Sequence, residues 1–151
     1  MKFTRLTKGS RRVACLAAVL SACLLSSPDA GRAADVRFPF DRELLLDAAP
    51  MRPNKRIPSL TIAANGSAVI DLWCRSVAGR AELDETTIAI VPGELPQTPP
   101  QMMSVGQCTP ARMQADEDML AALTAVTAWR REGSGIVLAG AKPMRFRPAT
   151  N

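Results

Sequence analysis

The chain has no histidine and no tyrosine, and aromatics make up only 4% of its 151 residues. Without an imidazole there is no Ser-His-Asp or Cys-His arrangement and no histidine general base. A pair of cysteines with no histidine is also a poor zinc set. Gly133-Ser134-Gly135 lacks the third glycine and the strand–helix setting of a phosphate-cradling loop. Asp116-Glu117-Asp118 lacks the spaced oxygen ligands and the glycine of a calcium loop. Neither cofactor nor metal is expected. Long apolar runs are missing as well: the longest, Val13–Leu25, is little more than half of the roughly 20 residues that span a bilayer.

What is present begins with residues 1–33. Lys2, Arg5, Lys8, Arg11 and Arg12 precede the apolar run, and Ser26-Ser27-Pro28 and small residues follow it. That order is a bacterial export signal. Two cleavage readings stay open. Leu20-Ser21-Ala22-Cys23 reads as a lipobox, which makes Cys23 a candidate lipidation site and the only membrane attachment expected. Otherwise the cut falls near Ala33 or Ala34. Residues 1–34 hold six of the 19 bases and one of the 14 acids, leaving 13 of each. The basic balance therefore belongs to the leader, and no nucleic-acid partner is expected. The product is expected to be periplasmic or lipid-anchored in the envelope.

The remaining residues, about 117, suffice for one domain. They carry two cysteines, Cys74 and Cys108, which in an exported protein read as a disulfide. Two free thiols or half of a metal site are the rival readings. A closed loop of this length contributes roughly 3–4 kcal/mol on the chain-entropy account.

Along the chain, residues 34–58 read as a linking segment. Within it Arg37–Phe40 is a candidate strand with Phe38 and Phe40 on one face, and Leu44-Leu45-Leu46 reads as core. Asn65-Gly66 predicts a tight hairpin in which Leu60 opposes Leu72 and Ile62 opposes Ile70. Strands follow at Gly79–Leu83 and at Thr86–Val91, the latter with Ile88 and Ile90 on one side. Pro92–Pro100 reads as loop, and Gln101–Gln107 as a short strand leading to Cys108. Thr109 as N-cap and Pro110 at the first helical position predict a helix ending near Val126. Thr127–Arg131, Ile136–Ala139 and Pro143–Phe146 then form a terminal meander. The predicted class is α+β, mostly β: a small barrel-like antiparallel sheet with one helix before the meander.

In this order the chain resembles the META domain family of HslJ-like bacterial envelope proteins, over residues 57–148. Pro58-Ser59-Leu60-Thr61-Ile62, Asn65-Gly66, Cys74 and Gly79-Arg80-Ala81 stand in the family's first strands. Cys108 and Glu117-Asp118-Met119-Leu120-Ala121-Ala122-Leu123 stand for its second cysteine and acidic helix. Ile136-Val137-Leu138 and Met144-Arg145-Phe146 match its closing strand pair. Trp73-Cys74-Arg75 replaces the usual Gly-Cys-Asn. The resemblance implies a non-catalytic envelope protein linked to stress or antibiotic tolerance.

A binding module, for example a periplasmic enzyme inhibitor working through Pro92–Gln107, is the alternative, and a carboxylate-based enzyme ranks last. The partner is an unknown envelope protein or none. Candidate partner contacts are Trp73, Arg75, Met102, Met103 and Trp129. The competing expectation puts the methionines in core or strand positions and both indoles in the core near the cysteine pair.

Overall fold

Buried and exposed side chains alternate over residues 67–71, 76–83, 88–92 and 144–148 with the period of two that a half-buried strand requires. A computed structural model, describing residues 37–150, places these segments among eight strands in the described residues. They are β1 (Leu44–Leu46), β2 (Ser59–Ile62), β3 (Ser67–Asp71), β4 (Ser76–Leu83), β5 (Ile88–Pro92), β6 (Val126–Glu132), β7 (Gly135–Gly140) and β8 (Met144–Pro148). Helices α1 (Pro100–Ser104) and α2 (Pro110–Thr124) lie between β5 and β6. The leader and Cys23 lie outside the described residues.

All strand pairs are antiparallel, in the order β5-β4-β3-β2-β1-β8-β7-β6. The two ends of the sheet meet at a Thr87–Ala128 bridge, and the Trp129 N–H donates to the Thr86 carbonyl at 2.9 Å. The result is a nearly closed barrel, which removes most of the exposed edge an open sheet would carry. β1 falls within the 34–58 segment yet pairs with both β2 and β8, so it joins the two halves of the sheet.

The β2–β3 hairpin shows how little freedom the turn leaves. Gly66 has φ +82°, and a Cβ there would lie 2.8 Å from the Ala81 carbonyl oxygen, so only glycine fits. The pairing is Leu60 with Ile70 and Ile62 with Ala68, two residues from the register expected. A two-residue shift preserves the face, and Leu60, Ile62, Ile70 and Leu72 are all fully buried.

The barrel interior is filled by these residues with Leu44, Ile88, Ile90, Ile136, Leu138 and Phe146, all at most 2% exposed. α2 adds Met119 and Leu123 to this core and packs against β5. Thr109 caps the helix by accepting from the Arg112 N–H at 3.4 Å, with Pro110 in the first turn.

Two expected strands are not strands. Gln101–Gln107 contains α1 instead: Pro99-Pro100 sets helix-compatible φ at its start, and no alternation opposes it. Residues 37–40 form a bend in which the Phe40 N–H donates to the Phe38 carbonyl at 2.9 Å. Phe38 is buried there and Phe40 is 37% exposed, although their rings touch at 5.2 Å.

Candidate functional site

The strongest concentration of polar chemistry sits where β3 turns into β4. The Leu72 N–H donates to the Arg75 carbonyl at 2.7 Å, and this tight corner turns Trp73-Cys74-Arg75 toward α2. On the helix, Arg112, Asp116, Met119 and Leu123 form one stripe at spacings of four, three and four, and all four are buried. Its first two members are charged and 0% exposed.

These charges are matched by the corner. Asp116 accepts from the Cys74 backbone N–H at 3.2 Å and from Arg75 Nε at 3.0 Å. Arg75 also donates through Nη2 to the Met113 carbonyl at 3.0 Å. Arg112 donates through Nη1 to the Gln107 carbonyl at 2.8 Å and through Nη2 to the Trp73 carbonyl. Buried charges cost least when hydrogen-bonded and paired; Asp116 pairs with Arg75, Arg112 is held by main-chain carbonyls, and these bonds tie the helix to the barrel. Arg112 Nε and Trp73 Nε1 are buried without a hydrogen-bond partner.

Cys74 and Cys108 are part of this cluster. Both are buried and without a disulfide in this structure, and Cys108 lies near enough to raise the Cys74 thiol. The Cys74 thiol is pushed up to about 12. Burial is the main cause; Cys108 and Asp116 add to it, and Arg112 opposes it. Since the thiolate is the nucleophile, Cys74 is not poised for covalent catalysis at neutral pH.

A cleft of about 490 Å³ lies beside the corner, between α2 and the β7–β8 end. Trp73 lines it, with Leu46, Met119 and Met144. Arg130, Lys142 and Arg145 supply its cations, and Asp47 and Asp118 its acids.

The other candidate contacts fall in three places. Trp129 is 6% exposed, its Nε1 donates to the Asp84 carbonyl at 3.0 Å, and it meets Phe38 edge-on at 5.2 Å. It is a core residue whose contacts lie with Phe38 and Asp84, away from the cysteine pair. Trp73 is half-buried beside Cys74, and Arg75 is committed to Asp116. Met102 is half-buried, while Met103 and Val105 are 49% and 65% exposed. The loop carrying them is tied to Cys108, whose N–H donates to the Met102 carbonyl at 3.1 Å.

Arg112 is absent from the residues singled out by sequence, and Asp116 enters there only in the calcium-loop reading of Asp116-Glu117-Asp118. Asp116 lies in mid-helix, facing the barrel. The four-three-four stripe with Met119 and Leu123 was the available signal.

A nearly closed eight-strand antiparallel barrel with an acidic helix before its last three strands, one cysteine in the β3–β4 corner and one just before that helix, defines a class of small β-domain. The META domain family model matches residues 42–150, and the chain belongs to that family. A search of curated proteins and a search of solved structures each found no significant match.

Proposed function

We propose that this META-domain protein is exported and non-catalytic, and that it serves the bacterial envelope in stress or antibiotic tolerance. The observation that carries the non-catalytic part is the use of the buried polar groups. Arg112 and Asp116 are both 0% exposed and bonded to main-chain groups and Arg75. They are placed to hold the fold rather than to meet a substrate. The raised Cys74 thiol and the absence of histidine support the same reading. The leader pattern in residues 1–33 supports export, with or without lipid on Cys23.

In an oxidising compartment the adjacent Cys74 and Cys108 close into a structural disulfide. Oxidation belongs to folding, because both thiols are sealed from solvent once buried and burial raises the Cys74 thiol.

The test is turnover of generic ester, phosphate and peptide substrates by purified protein. None is expected. Turnover that co-purifies with the protein and disappears on substitution of one of its own residues would overturn the proposal. The exposure of Met103 and Val105 favours a second reading, in which the α1 loop is an adaptable apolar contact for an envelope protein. Met103→Ala and Val105→Asp should then abolish a pull-down from envelope extract that the unmodified protein gives, without moving the melting temperature; a pull-down unchanged by both would remove that reading.

A further inference from the structure

The cleft between α2 and the β7–β8 end adjoins the buried cluster through Trp73 and Met119, and its surface is specific. One part is apolar, built by Leu46, Met119 and Met144. Another is a cross-strand row in which Val137 stands in register with Arg130 on β6 and Arg145 on β8. Both guanidiniums share one carboxylate: Arg130 Nη2 lies 3.3 Å from Glu132 Oε2, and Arg145 Nη1 donates to Oε1. Lys142, in the β7–β8 turn, has no ion-pair partner among the described residues.

Two of the three cations on this side therefore share one bridging carboxylate, and the third, Lys142, pairs with none among the described residues. Each guanidinium has a fork of five donors and commits one to Glu132, so both keep donors for a second acceptor. Asp47 and Asp118 also line the cleft: Asp47 follows β1 beside Arg145, its N–H donating to the Arg145 carbonyl at 2.8 Å, and Asp118 on α2 accepts from Gln114 at 3.1 Å. The volume, about 490 Å³, falls within the range of small-molecule sites.

We propose that this cleft binds a small amphipathic carboxylate. Its apolar body lies on Leu46, Met119 and Met144, and its carboxylate sits among Arg130, Lys142 and Arg145. The two arginines that share Glu132 take a second carboxylate as a charge-assisted acceptor. Transfer of the apolar body from water onto the cleft floor supplies the rest of the affinity. Asp47 and Asp118 would favour a cationic head instead, so the sign of the head group is the point to test.

The experiment is a titration of the purified protein with decanoate, decanol and decylammonium, each below its aggregation threshold. Amide NMR shifts would locate binding and calorimetry would measure it. Decanoate should saturate, with shifts at Ala115, Ala122 and Met144, and decanol should bind about 10-fold more weakly, a difference of about 1.4 kcal/mol. Lys142→Glu with Arg145→Glu, both exposed positions, should weaken decanoate by at least about 10-fold and leave the melting temperature in place. Ala122→Phe, at a half-buried helix position lining the cleft, should block decanoate; Ala115→Phe, two turns earlier on the same lining, serves if that variant does not fold. No decanoate shifts at the cleft, decylammonium binding as tightly as decanoate, or decanoate binding untouched by the charge reversals would each overturn the proposal.

Discussion

Replacing Asp116 with alanine should be among the most damaging single changes outside the apolar core. Asp116 is 0% exposed and is the ion-pair partner of Arg75 Nε at 3.0 Å, and the Arg75 side chain is itself only 10% exposed. Its removal leaves a guanidinium poorly solvated and the Cys74 N–H without its acceptor. Breaking a buried pair from one side costs about 3–5 kcal/mol, and an orphaned buried N–H alone costs about 1–3 kcal/mol. The two overlap, so about 3–5 kcal/mol is the expected total. That is a large fraction of the roughly 5–15 kcal/mol that holds a domain folded. It corresponds to a drop in melting temperature of about 10–20 °C for a domain of this size. Urea unfolding of Asp116→Ala, Arg75→Met and the double variant, all with the cysteines in one fixed redox state, measures it. The double variant should cost less than the sum of the singles by about 1–3 kcal/mol, since both lose the same interaction. A cost below about 1 kcal/mol for Asp116→Ala, or strict additivity, would refute the claim that this pair ties α2 to the β3–β4 corner.

Three further outcomes follow from the same geometry. Reduction of the Cys74–Cys108 bond in exported protein should lower stability by about 3–4 kcal/mol, seen as a fall in melting temperature on adding reductant; an unchanged melting temperature would remove the structural disulfide. The reduced protein should also have an alkaline limit. Its Cys74 thiol titrates near 9.0 in the unfolded chain and about 12 in the fold, so the fold retains a proton that the unfolded chain has lost. This contribution is fully present below pH 9 and is lost between pH 9 and 12, a decline that denaturant titrations should find in the reduced protein and not in the oxidised one. Gly66→Ala, forced to φ +82° against the Ala81 carbonyl, should cost about 1–3 kcal/mol in urea unfolding.

The parts of this fold that are legible in sequence are those governed by local periodicity and turn chemistry. Ile88 and Ile90 on one strand face, Thr109-Pro110 at a helix start and Asn65-Gly66 at a hairpin each follow from a near-neighbour rule. The hairpin register missed by two residues because loop length is decided by how the strands pair, while the buried face survived because the strand repeats every two. α1 is not legible because the seven residues between Pro100 and Cys108 carry too little periodicity to separate helix from strand. The polar cluster was missed for a different reason. Arg112 and Asp116 look like surface charges until Trp73-Cys74-Arg75, some 40 residues away in sequence, is brought against them. The cleft is a tertiary feature of the same kind, since α2, β1 and the β7–β8 turn contribute to it from separate parts of the chain.

The central functional claim is that the protein works outside the cytosol with its cysteine pair closed. Intact mass of the protein taken from its native envelope, under non-reducing conditions, tests it most directly. The expected result is a chain beginning at a lipid-bearing Cys23, or near Ala34 without lipid, and two hydrogens lighter than the dithiol. A chain that still begins at Met1 with both thiols free would contradict it.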